Sequence, residues 1–199
     1  MNSLHEEKLK GGRRMATNYY NQMLKEGTEY QDYIIKELSK IGIHIQCFSS
    51  KKYQYSEGES FSKAEIKLDK MMGKTGNLWI ETEEKTSATN LNYMPSGLNR
   101  ESLHWIQGNY IVAFMFSTKS LIEYITRNSS NLRFIENSMK TSRGYLLPVA
   151  TAEKICMCKF RFKDGCVPDQ ILPVTEHYNR MEPRVNRAKN ERDLSFFGF

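Results

Sequence analysis

No apolar run in this chain approaches the ~20 residues needed to cross a bilayer. The longest, Tyr110-Ile111-Val112-Ala113-Phe114-Met115-Phe116, has the length of a buried strand. The opening segment, Met1 to Arg14, is polar and lacks the apolar core of a secretory signal, so a cytoplasmic location and no membrane partner are expected. Cysteine is scarce: four residues, of which only Cys156, Cys158 and Cys166 are close in sequence. With no signal segment, disulfides are not expected. Cys-x-Cys also departs from the two-to-four-residue spacing of a zinc knuckle, and no histidine completes a set. His44, His104 and His177 are too scattered for a histidine-based site, and Gly73-x-x-Gly76 lacks the Gly-Lys-Ser/Thr ending of a phosphate loop.

What is present is charge. Lys and Arg number 29 against 23 Asp and Glu, a formal +6 with a pI near 9.0 and a mean hydropathy of −0.62. A basic surface favours polyanions such as nucleic acid through counterion release, although many soluble proteins carry this charge with no such partner. At 199 residues with 39% hydrophobic content, the chain suits one domain with a proper core. That domain is expected over 1–173. A polar, basic tail follows over 174–199, carrying Arg180, Arg184, Arg187, Lys189 and Arg192. The tail ends in an aromatic peptide, Asp193-Leu194-Ser195-Phe196-Phe197-Gly198-Phe199, which either docks on a partner or folds back on its own core.

Residues 3–26 read as a helix interrupted at Gly11-Gly12. A stripe of Tyr30, Tyr33, Ile34, Ile35, Leu38 and Ile41 then predicts a helix stopping at Gly42. Ile43–Phe48 alternates as a strand. Strands are also expected at 65–69, 78–85, within 104–116 and at 144–149, with a capped helix after Ser117; residues 152–162 fit either helix or strand. The pattern favours an α/β or α+β fold with a mixed sheet.

The chemistry-bearing segment is Glu65 to Lys85. Alternation along a strand places Glu65, Lys67 and Asp69 on one face, and Trp79, Glu81, Glu83 and Lys85 on one face of the next strand. If the two strands pair as a hairpin through Gly73-Lys74-Thr75-Gly76-Asn77, Asp69 can share a metal with Glu81 or Glu83. Two carboxylates on rigid strands suit Mg²⁺, a hard cation that keeps several waters. The ion would stabilise charge on a phosphate and acidify a bound water, with Lys85 beside it. The competing reading is a solvated hairpin face whose alternating charges keep an edge soluble.

Asp69 followed by Glu83-Glu84-Lys85 on an apolar-fed strand resembles the PD-(D/E)XK nuclease superfamily. The resemblance covers roughly residues 29–116, with Leu68 where the family often has proline. It implies a restriction-endonuclease-like core, a mixed β-sheet flanked by helices. It further implies hydrolysis of DNA phosphodiester bonds with Mg²⁺ or Mn²⁺, and a further acid on the first helix, at Glu37 or Glu29. Glu83 with Lys85 keeps the family spacing. Glu81 follows the apolar Leu-Trp-Ile run where the family acid commonly lies, so both glutamates stay open. Glu65-Ile66-Lys67 also spells Glu-x-Lys, but no aspartate strand precedes it at hairpin distance, and it is read as part of the aspartate strand. Catalysis is thus expected of Asp69, Glu81 or Glu83, and Lys85, with phosphate contacts from Lys119, Arg127 and Arg133. Alanine at Asp69 or Lys85 is expected to abolish cutting and leave the fold intact. The family's habit of cutting both strands implies a homodimer. The alternative is a catalytically inactive nucleic-acid-binding or adaptor protein of the same fold.

Overall fold

A computed structural model describes residues 3–45, 64–98, 102–163 and 165–171, with side chains from residue 21 to residue 169 of these. Helix α1 (Ser3–Ser39) runs unbroken through Gly11-Gly12. Then come β1 (Ala64–Leu68), a helical turn α2 (Met72–Thr75), β2 (Asn77–Glu84), the short β3 (Met94–Pro95), β4 (His104–Gly108) and β5 (Val112–Ser117). Helix α3 (Thr118–Asn128), β6 (Arg133–Glu136), β7 (Ser142–Pro148), α4 (Val149–Ile155), β8 (Cys158–Arg161) and β9 (Val167–Ile171) complete the order. The result is a mixed α/β architecture. Its strands form two sheets: a five-stranded one ordered β1-β4-β5-β8-β9 and a four-stranded one ordered β3-β2-β7-β6. Among the described strand pairings, β1–β4 is parallel and the rest are antiparallel.

Two apolar clusters follow from side-chain periodicity. Tyr30, Ile34 and Leu38 recur every four residues along α1 and are fully buried against Ala64, Ile66, Ile106, Ala113 and Phe160 of the larger sheet. The other face of that sheet offers Trp105, Phe114 and Phe116, which pack with Leu78, Ile80 and Leu147 of the smaller sheet and with Leu121 and Ile125 of α3. Each such side chain contributes about 1.5–3 kcal/mol through removal from water. Cys156, Cys158 and Cys166 are buried and fill core space, and burial pushes the Cys158 thiol up to about 12.

Several expectations need correction. The hairpin joining 65–69 to 78–85 does not form: β1 pairs with β4, β2 pairs with β7, and the two lie in different sheets. The intervening glycine-rich stretch winds into α2 and ends at Gly76 with a left-handed φ of 67°, so the chain leaves the first sheet instead of folding back on it. The buried strand expected within 104–116 is a hairpin, β4–β5, turned at Asn109, whose side chain accepts the N–H groups of Ile111 and Val112. The ambiguous 152–162 stretch divides: it finishes α4 and then forms β8. Strand β6 was not anticipated, because Arg-Phe-Ile-Glu is short and flanked by polar residues. Of the 43–48 strand, residues 43–45 are not in a strand and 46–48 lie outside the described residues, as do the basic tail and its aromatic end.

Gly144 sits opposite Glu81 in the β2–β7 ladder, and a Cβ there would overlap the Ile80 carbonyl oxygen and crowd the Glu81 backbone. Gly144→Ala is therefore expected to cost about 1–3 kcal/mol, the range for forced overpacking, and to lower the urea midpoint without changing the slope.

Candidate functional site

Asp69 closes β1 and is buried, at 5% exposure. Its Oδ1 accepts the N–H groups of Met71 (3.1 Å) and Met72 (2.9 Å), and so holds the start of α2 as a capping side chain does. Its Oδ2 accepts the Trp79 N–H at 2.7 Å and the Gln107 side-chain amide at 3.2 Å. One carboxylate thereby joins β1, α2, β2 and β4. The orientation of Gln107 is fixed chemically: its Oε1 accepts from the donor-only Trp105 indole at 2.8 Å, which turns its amide nitrogen toward Asp69 and the Trp79 carbonyl. Gln107 is a site residue that the sequence did not mark, since on an alternating strand it reads as one more polar position.

Glu81 opens onto the same cavity, a hollow of about 580 Å³ lined by Lys67, Asp69, Trp79, Glu81 and Gln107 among others. Burial raises its proton affinity above the ordinary carboxylate range; the Ser142 hydroxyl, the charge of Lys67 and the Ser96 hydroxyl work in the opposite direction, while Glu84 adds to the rise. Ser96 Oγ donates to Glu81 Oε1 at 3.4 Å. Lys67, also on the cavity wall, places its ammonium 2.5 Å from Glu65, a largely buried acid on the same face of β1. Lys67 thus carries positive charge between two carboxylates. Glu65-Ile66-Lys67 is the Glu-x-Lys that shares a wall with Asp69.

Glu83 and Lys85 do not join this group. A β-bulge between Glu81 and Glu83 inserts Thr82 as an extra residue: Glu81 pairs with Gly144 and Glu83 with Arg143. The loop after β2 returns to satisfy the bulge, Ser96 N–H donating to Thr82 O at 3.0 Å and Leu98 N–H to Glu81 O at 2.8 Å. Gly97 lies between them at φ 66°, where a Cβ would stand 2.5 Å from Glu81 O. The alternation is broken at this point. Thr82 and Glu83 both line a second hollow, beside Ile122 and Ile125 of α3. Glu83 is ion-paired with Arg143, whose guanidinium lies 4.1 Å from the Tyr93 ring centre. The Lys85 ammonium sits 4.6 Å from the same ring centre and 3.8 Å from Glu136. These five side chains form a network of their own at the far end of β2.

Glu37 is buried on α1, across the larger sheet from the cavity, with its carboxylate 2.5 Å from Lys40. Glu29 is exposed and pairs with Lys25 at 3.7 Å. Glu26 of α1 is ion-paired with Lys70 on the cavity rim. Lys119 and Arg127 lie exposed on α3, Arg127 beside Glu123 at 3.9 Å. Arg133 is different. It is in register with Leu146 and two residues from Ile135, both of which line the cavity, so it stands on the cavity face of β6.

A scan against protein-family models found no match, and searches of curated proteins and of solved structures found none either. The case for any activity therefore rests on the geometry. Among the described residues no group of three or more His, Cys, Asp or Glu side chains converges as a metal-binding set. Asp69 has both oxygens filled by N–H donors, an environment that satisfies an anion and leaves little for a cation. Glu81 fits a hard dication better: it is partly desolvated, held by weak hydroxyl contacts, and faces a space large enough for the waters that Mg²⁺ retains. No described helix is long and apolar enough to cross a membrane.

Proposed function

We propose that this chain is a metal-dependent nuclease that hydrolyses DNA phosphodiester bonds at the cavity between β1, β2 and β4. The observation that carries the reading is the shared cavity of Glu81 and Lys67: a carboxylate of raised proton affinity beside an ammonium. Glu81 is the residue that would hold Mg²⁺ or Mn²⁺. A bound dication would supply charge to neutralise the phosphate and would acidify a coordinated water. Lys67 would hold the attacking water or a non-bridging phosphate oxygen, with Glu65 fixing where its ammonium points. Water adds to phosphorus as the bond to the leaving sugar oxygen breaks; the proton lost by the water passes to solvent or to Glu81, and the leaving oxygen takes a proton from solvent. Asp69 and Gln107 would position β1, β2 and β4 around these groups without touching substrate. The restriction-endonuclease-like core belongs to this proposal, with Glu65-x-Lys67 in the place expected of Glu83-x-Lys85.

A second reading is favoured by one observation, the saturation of Asp69: a nucleic-acid-binding or adaptor protein of similar architecture that does not cut. One experiment separates them. Plasmid, linear duplex and single-stranded DNA are incubated with the full chain in Mg²⁺, in Mn²⁺ and in a chelator. Cleavage that requires the metal supports the nuclease. Salt-sensitive binding with no cleavage in either metal supports the binder.

A further inference from the structure

We propose that the cavity beside Glu81 takes one unpaired base of a single-stranded nucleic acid, stacked on the Trp79 indole, with the adjoining phosphate on Arg133. This rests on the nucleic-acid reading above and adds the form of nucleic acid and the residues that hold it.

The two tryptophans differ in kind. Trp105 is buried, at 1% exposure, and its indole N–H is spent on Gln107, so it belongs to the scaffold. Trp79 alternates with the fully buried Leu78 and Ile80 but is itself only half-buried, on the cavity wall one strand repeat from Glu81. A large aromatic left partly open in a concave site is a stacking surface.

Register aligns Trp79 with a cation. Trp79 pairs with Leu146, and Leu146 pairs with Arg133, so the three form one row across the smaller sheet on the cavity side. The next row is Glu81, Gly144 and Ile135, in which Gly144 contributes no side chain. An aromatic platform therefore ends in an exposed cation and runs beside the candidate hydrolytic carboxylate. Lys67 and Lys70 already face Glu65 and Glu26, whereas Arg133 is exposed and in no ion pair among the described residues. That leaves Arg133 the cation most available to a phosphate.

The occupant is a base rather than a flat duplex face. The cavity volume of about 580 Å³ lies within the ~300–1,000 Å³ range of small-molecule sites. It opens between strands of two sheets, so a base reaching Trp79 must already be out of a helical stack. The amides that could read a base edge are committed elsewhere. Asn77 donates to Thr75 O at 2.7 Å, and Asn137 bonds the Thr141 hydroxyl and the N–H groups of Thr141 and Ser142. Stacking without edge contacts tolerates any base, so recognition is of single-strandedness and not of sequence.

The test is made in chelator, where no cleavage intervenes, using fluorescently labelled oligothymidine, the same length of abasic deoxyribose-phosphate oligomer, and a duplex. Oligothymidine is expected to quench the intrinsic fluorescence of the full chain and to bind more tightly than the abasic oligomer by about tenfold, the worth of roughly one stacked base. Trp79→Leu is expected to remove that difference and Trp79→Phe to keep most of it, as read by anisotropy of the labelled strand. Equal affinity for thymidine and abasic oligomers in the unaltered protein, or tighter binding of the duplex, overturns this inference and leaves the nucleic-acid reading standing. Failure of every oligomer to bind at low salt removes both. The abasic comparison uses no variant, so a misfolded Trp79→Leu does not decide the outcome.

Discussion

Replacing Glu81 with glutamine is expected to reduce metal-dependent cleavage by about 10²–10⁴-fold, the range for losing a group that holds or moves a proton in the transition state. The same change at Glu83 is expected to leave cleavage within a few-fold. The contrast comes from the bulge at Thr82, which gives Glu81 to the cavity and Glu83 to Arg143. Lys67→Ala should follow Glu81→Gln, while Lys85→Ala should lose stability sooner than activity, because its ammonium is enclosed by Tyr93 and Glu136. Initial rates on linear DNA in Mg²⁺, compared across the four variants, check the assignment. Loss of activity in the Glu83 and Lys85 variants with retention in the other two would return the site to the far end of β2.

Glu81→Gln carries a second signature, in stability. Folding raises the proton affinity of Glu81 above its ordinary value of 4.5, chiefly through burial, so the folded state binds more protons there than the unfolded chain does. The stability this provides is fully present below the ordinary pKa and is lost as pH rises through the raised one. At neutral pH the unaltered protein carries a charged, partly desolvated carboxylate, and glutamine relieves it. The variant should therefore melt higher than the unaltered protein at pH 7, and the gap should close as pH falls below the ordinary carboxylate value. Mg²⁺ should raise the melting temperature of the unaltered protein and not that of the variant. An inactive variant that is more stable without metal and blind to it is what a ligand carboxylate predicts.

The helix stripe at Tyr30, Ile34 and Leu38, the strands at 65–68 and 78–84, and the cap at Ser117 were all legible, because each depends on local periodicity or on one side chain. Which strands pair was not. Sequence adjacency favours a hairpin between β1 and β2, yet Asp69 turns the chain into α2 by binding the Met71 and Met72 N–H groups, and β1 finds its partner some forty residues on, in β4. Glu81 and Glu83 could not be separated from sequence for a related reason. Period-two alternation puts both on one face, and the bulge that parts them depends on contacts from residues 96–98 and on a glycine across the ladder. The strand pattern singles out Asp69, but the residues that define what it does, Gln107 and the Trp79 amide, lie on other strands.

Asp69→Ala is expected to cost about 3–5 kcal/mol of folding stability, a large share of the roughly 5–15 kcal/mol that holds a domain together. The sequence alone suggested a variant that folds and fails to cut. The structure gives the carboxylate four N–H donors, two on each oxygen, drawn from the start of α2, β2 and the buried Gln107. Removing the acceptor strands these donors where water reaches them poorly, and that desolvation cost dominates over the lost bonds. Asparagine should be nearly as damaging as alanine. Whichever oxygen the amide keeps, its NH₂ replaces the other and points donors at donors. Gln107→Met should cost less: Asp69 keeps three of its four donors, and the groups left without a partner are the Trp105 indole N–H and the Trp79 carbonyl. Urea denaturation of the three variants tests this directly. An Asp69→Ala protein with an unshifted midpoint and no cleavage would restore Asp69 as a metal ligand, whereas a large shift shared by alanine and asparagine makes it the knot that brings Lys67 and Glu81 to one cavity.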